Sequence, residues 1–216
     1  MVAVRDGRRV TTKRRADENS HRFNGAFDVV AIAASAGGLR ALAAVLSALP
    51  SAFPAAIVVV QHLDPRHKSL MADILNRHTG LAVKQAEEGE VLQAGTVYIA
   101  PPDKHLLANA DATISLSHSE LVHFVRPSAD LLFESVAAGF KDKSIAVVLT
   151  GTGSDGAMGL EAIKKMGGTV IAQDEASSEF FGMPGAAIHT GNVDFVLPLV
   201  EIPQALVSLV MSGAAE

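Results

Sequence analysis

Cysteine and tryptophan are absent from the 216 residues, and Tyr98 is the single tyrosine. Without cysteine there is no disulfide framework, no thiolate nucleophile and no cysteine metal site. The same absence fits a reducing compartment such as the cytoplasm. So few aromatic rings leave little to stack against single-stranded nucleic acid. Positive charge is scarce outside the first stretch: residues 1–26 hold seven Lys/Arg against three Asp/Glu, and the remainder holds 11 against 20. An acidic body argues against a nucleic-acid surface. Residues 41–63 carry no Lys, Arg, Asp or Glu. Pro50 and Pro54 nevertheless interrupt that run, which divides into a helix to about Leu49, a turn and a strand rather than a membrane span. The pairs Arg8-Arg9 and Arg14-Arg15 are followed by the polar stretch Ala16 to Gly25, so no signal peptide is expected.

What is present is a chain of suitable length for one α/β domain with a substantial core. Residues 1–26, polar and without an apolar period, read as a flexible basic arm, and residues 27–216 as the folded domain. The run Phe27–Ala33 predicts a strand, followed by a turn at Ser35 and a helix over about Gly38–Leu49. Ala56–Gln61 predicts a second strand, and Lys68–His78 a helix stopped by Thr79-Gly80. Short runs between Leu81 and Val125, Val97–Ala100 among them, read as a meander or hairpin inserted in the α/β frame. A helix over Ala129–Gly139 with Ser128 as N-cap follows. Ile145–Leu149, Thr169–Ala172 and Val193–Leu197 read as strands, Ala157–Met166 and Pro203–Met211 as helices. This alternation predicts a mostly parallel sheet covered on both faces.

The stretch Val29 to Gly38 carries the sharpest signal. An apolar run ends in Ser35, and Gly37 and Gly38 precede the helix, so one hydroxyl stands at a strand-to-helix corner. Unpaired N–H groups of the first helical turn lie beside it and suit an anion or an oxyanion. A plain βα turn with a capping serine is the competing reading. Ligand sites in open α/β sheets lie beyond the carboxyl ends of strands, and three such ends offer Ser35, His62 and Asp155. A hydroxyl, an imidazole and a carboxylate are the parts of a nucleophile, its base and the group that orients that base. The bland alternatives are a satisfied histidine and an aspartate capping the helix near Ala157. His62, Asp64 and His67 are spaced in a way that raises a metal, but Pro65 turns the chain and no further ligands cluster there, so no metal is expected. His118, His123 and His189 read as structural. A rival lies in Gly151-Thr-Gly153-Ser-Asp155-Gly156, a G-x-G-x-x-G with Asp174 and Glu175 about 20 residues on, as a dinucleotide site would have. Asp155 would repel a pyrophosphate held in that loop.

Taken together, Ala34-Ser-Ala-Gly-Gly38, Gln61-His-Leu-Asp-Pro65, Ala100-Pro-Pro102, Arg126-Pro-Ser128 with Asp130, Leu149–Ala157, Ala172-Gln-Asp-Glu175, Phe181-Gly-Met-Pro184 and Val193–Pro198 resemble the catalytic domain of CheB-type chemotaxis protein-glutamate methylesterases. The resemblance spans about residues 27–207. It implies a doubly wound, Rossmann-like α/β domain with an inserted antiparallel hairpin, and a catalytic Ser-His-Asp triad on Ser35, His62 and Asp155. The implied reaction is hydrolysis of glutamate methyl esters with release of methanol, with glutamine deamidation as a second activity and no cofactor. Ala36, Gly37, Thr152 and Gly153 would support the oxyanion, through N–H groups near Ala36 and in the Gly151–Gly153 turn. Many family members have Thr and Met where this chain has Ala36 and Thr152. The implied partners are methylated cytoplasmic helices of chemoreceptors, with a separate receiver or methyltransferase protein as a further candidate, and neither nucleic acid nor membrane insertion. The family's usual receiver domain has no counterpart in the basic arm. An inactive signalling module that keeps the fold is the alternative function.

Overall fold

The computed structural model describes residue 23 and residues 25–62 and 69–212. The expected arm therefore lies mostly outside the described residues. Phe23, inside that stretch, is buried in the core, and Ala26 N–H donates to the Val210 carbonyl at 2.9 Å.

Among the described residues, seven strands form one sheet in the order β3-β4-β2-β1-β7-β8-β9. These are β1 (Val29–Ala34), β2 (Ala56–Gln61), β3 (Ala82–Gln85), β4 (Thr96–Ile99), β7 (Ser144–Val148), β8 (Thr169–Gln173) and β9 (Phe195–Leu197). Every pairing is parallel. β5 (His105–Ala108) and β6 (Ile114–Ser117) form a separate antiparallel hairpin. The helices are α1 (Gly38–Ser47), α2 (Met71–Asn76), α3 (Ala129–Phe140), α4 (Gly159–Lys165), α5 (Gly182–His189) and α6 (Ile202–Met211).

The central strands are buried on both faces, as unbroken Val/Ile/Ala runs require. Successive residues of β1 alternate between two cores. Val30, Ile32 and Ala34 pack with α1, α2 and α6, while Val29, Ala31 and Ala33 pack with α3, α4, α5 and the hairpin. The chain leaves β1 for β2 on one side and returns to β7 on the other. That reversal opens a crevice above the carboxyl end of β1, where doubly wound sheets bind ligands.

The antiparallel insertion is present, but smaller than expected. Val97–Ile99 pairs in parallel with β2 and so belongs to the main sheet. β3, unforeseen, is an edge strand reading Ala-Val-Lys-Gln without a buried face, so its sequence carries no period-2 signal. α5 contains two glycines and a proline, a composition that hides a helix from propensity. α2 is shorter than the expected Lys68–His78, and Lys68 lies outside the described residues.

α3 and α4 approach closely through Gly159. A Cβ there would stand 2.7 Å from the Asp130 carbonyl and 2.9 Å from Phe133 Cβ. Gly159→Ala should therefore lower the unfolding free energy by roughly 1–3 kcal/mol through overpacking, read as a lower urea midpoint at unchanged m-value. An unchanged midpoint would mean that the two helices part without cost.

Candidate active site

β1 ends at Ala34, and the next residue is held from three sides. Ser35 N–H donates to the Thr150 carbonyl at 3.0 Å, and the Ser35 carbonyl accepts from Gly38 N–H at 2.8 Å and from Gln61 Nε2 at 2.7 Å. Gly37, at φ +76°, lets the chain turn into α1 where a side chain would be strained. Two further glycines make room for neighbours. A Cβ on Gly38 would collide with Gln61 Oε1, and one on Gly151 would collide with Met183 Sδ and lie 2.8 Å from Ser35 Cβ.

His62 follows β2 directly, with its N–H on the Ala34 carbonyl at 3.2 Å. The same Gln61 amide that holds Ser35 also donates to the His62 carbonyl at 3.0 Å. One buried amide thus ties the two strand ends together, a role that its place in the motif did not disclose. His62 Nε2 lies 2.8 Å from Asp155 Oδ2.

Asp155 is 5% exposed. Oδ2 also accepts Ala129 N–H at 2.6 Å, while Oδ1 accepts the Ser128 hydroxyl at 2.8 Å and Asp130 N–H at 3.3 Å. Those N–H groups are the open start of α3, so the carboxylate sits on a helix N-terminus. Asp155 therefore caps α3, not the helix after Ala157. Ser128 occupies the N-cap position but makes no side-chain cap bond, because its hydroxyl goes to Asp155. Upstream, Arg126 anchors the segment through Asp103 Oδ1 at 2.7 and 2.9 Å and through the carbonyls of His118 and Ser119.

Burial works to raise the Asp155 carboxyl, but the hydrogen bonds from His62, Ala129 and Ser128 prevail and hold it below the usual carboxylate range. Asp130, next along, is driven the other way by burial and by the Asp155 charge, against the opposing pull of Gly159 N–H. Its Oδ2 has no hydrogen-bond partner among the described residues, although His123 Nε2 stands 3.7 Å away. His123, read from the sequence as structural, thus faces a carboxylate.

Ser35, His62 and Asp155 are brought to neighbouring ends of β1, β2 and the turn after β7. No hydrogen bond joins the Ser35 hydroxyl to His62 among the described residues. A cleft of about 830 Å³ opens beside Ser35. Leu39, Ala43, Leu70, Met71 and Ile74 give it apolar walls, and the exposed pair Arg40–Glu179, 3.5 Å apart, supplies charge. In the second glycine turn, Gly151 N–H is spent on the Phe180 carbonyl at 2.9 Å. The N–H groups of Ala36, Gly37, Thr152 and Gly153 have no partner among the described residues. Asp174, the would-be ribose acid, bonds Ser177 within its own turn. Asp64 and His67, raised with His62 as metal ligands, lie outside the described residues, and among those described no three His, Asp or Glu side chains group as a metal site. No helix among the described residues is long and apolar enough to cross a membrane.

The fold and site define an α/β protein with a hydroxyl, an imidazole and a carboxylate at the carboxyl edge of a doubly wound sheet. The profile of the CheB methylesterase family matches residues 30–206, and the chain belongs to that family. It is 42% identical over 183 residues to a putative protein-glutamate methylesterase/protein-glutamine glutaminase of Leptospira interrogans, covering 85% of this chain and 95% of the relative. It is 48% identical to a protein-glutamate methylesterase/protein-glutamine glutaminase of Anaeromyxobacter dehalogenans, over 83% of this chain but 52% of that one. The crystal structure of the Thermotoga maritima CheB methylesterase catalytic domain matches with a TM-score of 0.82 and 43% identity, over 85% of this chain and 99% of that one.

The Asp155 network sets a pH signature. A carboxyl held below its unfolded value of about 3.9 contributes stability that is present above that pH and lost as pH falls through the folded value. The stability gap between wild type and Asp155→Asn should therefore be constant near neutrality and shrink below about pH 4. Urea unfolding at a series of pH values measures it, and a gap that holds constant into acid would contradict the assignment.

Proposed function

We propose that the protein is a serine hydrolase that removes methyl esters from glutamate side chains of methyl-accepting receptors, with Ser35, His62 and Asp155 as its triad. The observation that carries this reading is the 2.8 Å contact between His62 and Asp155 near Ser35, with Ser35 and His62 directly after β1 and β2 and Asp155 in the turn that follows β7. The names carried by the relatives support the substrate class.

With Nε2 engaged by Asp155, Nδ1 is the nitrogen left to take the serine proton. That is the reverse of the usual ring orientation, but the carboxylate still holds one ring nitrogen and so fixes the tautomer. As Ser35 Oγ bonds to the ester carbonyl carbon, its proton passes to His62. The unspent N–H groups of Ala36 and Gly37, and of Thr152 and Gly153, are the donors available to the oxyanion. Gly151 drops out, since Phe180 already takes its N–H. Collapse of the tetrahedral species breaks the bond to the methoxy oxygen, which leaves as methanol with the proton from His62. A water activated by His62 then hydrolyses the acyl-enzyme and frees the glutamate. A glutamine side chain passes through the same steps with ammonia leaving, in line with the glutaminase half of the relatives' names. The chemistry calls for no metal or cofactor. The substrate glutamates lie on the cytoplasmic helices of the receptors.

Methanol release from a methylated receptor fragment tests it. Ser35→Ala, His62→Ala and the double variant should each lose several orders of magnitude, and by similar factors, because residues acting as a unit are strongly non-additive. Multiplicative loss in the double variant, or substantial release by Ser35→Ala, would refute the triad.

A further inference from the structure

His105 lies in β5 with no exposed surface, although an apolar side chain would fill the same space without a polar burial cost. Both ring nitrogens are engaged. Ser128 N–H donates to Nδ1 at 3.1 Å, and Nε2 donates to the Glu120 carbonyl at 3.1 Å. A backbone N–H only donates and a carbonyl only accepts, so these partners assign the neutral Nε2–H tautomer.

Ser128 is the residue through which this constraint reaches the site. Its N–H belongs to the N-cap position of α3, where no intrahelical acceptor exists. His105 supplies one. The hydroxyl of the same residue, and the N–H groups of the two residues after it, all converge on Asp155. A continuous chain thus runs from the Glu120 carbonyl through His105, Ser128 and Asp155 to His62.

We propose that His105 is a positioning residue for the hydrolytic site, fixing the Ser128 backbone so that the start of α3 aims at Asp155. The proposal rests on the triad reading above. His105 touches no substrate. It acts on the angle at which Asp155 meets His62, and small displacements of that kind cost rate more than binding.

Three substitutions separate this role from simple packing. His105→Asn keeps an acceptor where Nδ1 was and loses the donor to Glu120. His105→Gln keeps the donor where Nε2 was and loses the acceptor for Ser128. His105→Leu loses both. In methanol release from a methylated receptor fragment, His105→Leu and His105→Gln should lower kcat on the order of 10- to 100-fold with KM little changed. His105→Asn should recover most of that loss. In the Asp155→Asn background, His105→Gln should cost almost nothing further, because its effect passes through Asp155. The Asn/Gln comparison holds even if His105→Leu fails to fold. Activity in His105→Gln equal to or above that of His105→Asn would overturn the proposal, as would a multiplicative loss in the double variant. Ser35→Ala, run alongside, keeps the two levels apart. Methanol release surviving in that variant would overturn the triad reading itself, whereas a dead Ser35→Ala with indistinguishable Asn and Gln variants would overturn only the role of His105.

Discussion

A carboxylate buried at the start of a helix is the interaction on which this site turns. Asp155 has almost no contact with water, and an ionised carboxylate in that position is costly unless each lone pair is used. Two backbone N–H groups of α3, the Ser128 hydroxyl and His62 Nε2 meet that demand. Three of the four donors belong to one segment, so the position of α3 decides where the carboxylate stands. Arg126 and His105 anchor that segment from outside, and Gly159 lets α4 close against it. The electrostatics of the site are therefore inherited from the packing of one helix.

The Ser35 side of the site is governed by close approach instead of charge. Ser35 lies where β1, β2 and β7 run side by side, open to the cleft on one side and closely packed on the other. Gly38 leaves space for the Gln61 amide, and Gly151 leaves space for Ser35 itself and for Met183. The Gln61 amide then spends both protons on the carbonyls of Ser35 and His62. That buried side chain, with the His62 N–H on the Ala34 carbonyl, ties the Ser35 and His62 backbones together. The N–H groups left unspent around Ser35 and in the second glycine turn are a product of the same tight turns, each of which passes through a glycine at positive φ, Gly37 and Gly153.

The strands that build the crevice were legible because burial on both faces leaves an unmistakable apolar run, as in Val29–Ala34 and Ala56–Gln61. The corner serine and the glycines after it were legible for the same reason, since they interrupt such runs abruptly. β3 was not, because an edge strand with a lysine and a glutamine needs no hydrophobic period. α5 was hidden by its glycines and proline, of which Gly182 packs closely against the second glycine turn. Ser128 was read as a helix cap from a local rule. Its hydroxyl instead meets a residue 27 positions away, a long-range demand that local pattern cannot carry. The roles of His105 and Gln61 were hidden on similar grounds: each is a polar residue at the edge of an apolar run, and only the fold shows what it holds.

The most direct test of this account is covalent. A fluorophosphonate carries the tetrahedral geometry that an activated serine attacks, and peptide mass mapping reports which residue it marks. The account predicts one adduct, on Ser35, formed rapidly by the wild type and lost when His62 is replaced by alanine. Label on any other residue, or labelling of Ser35 at an undiminished rate without His62, would contradict it.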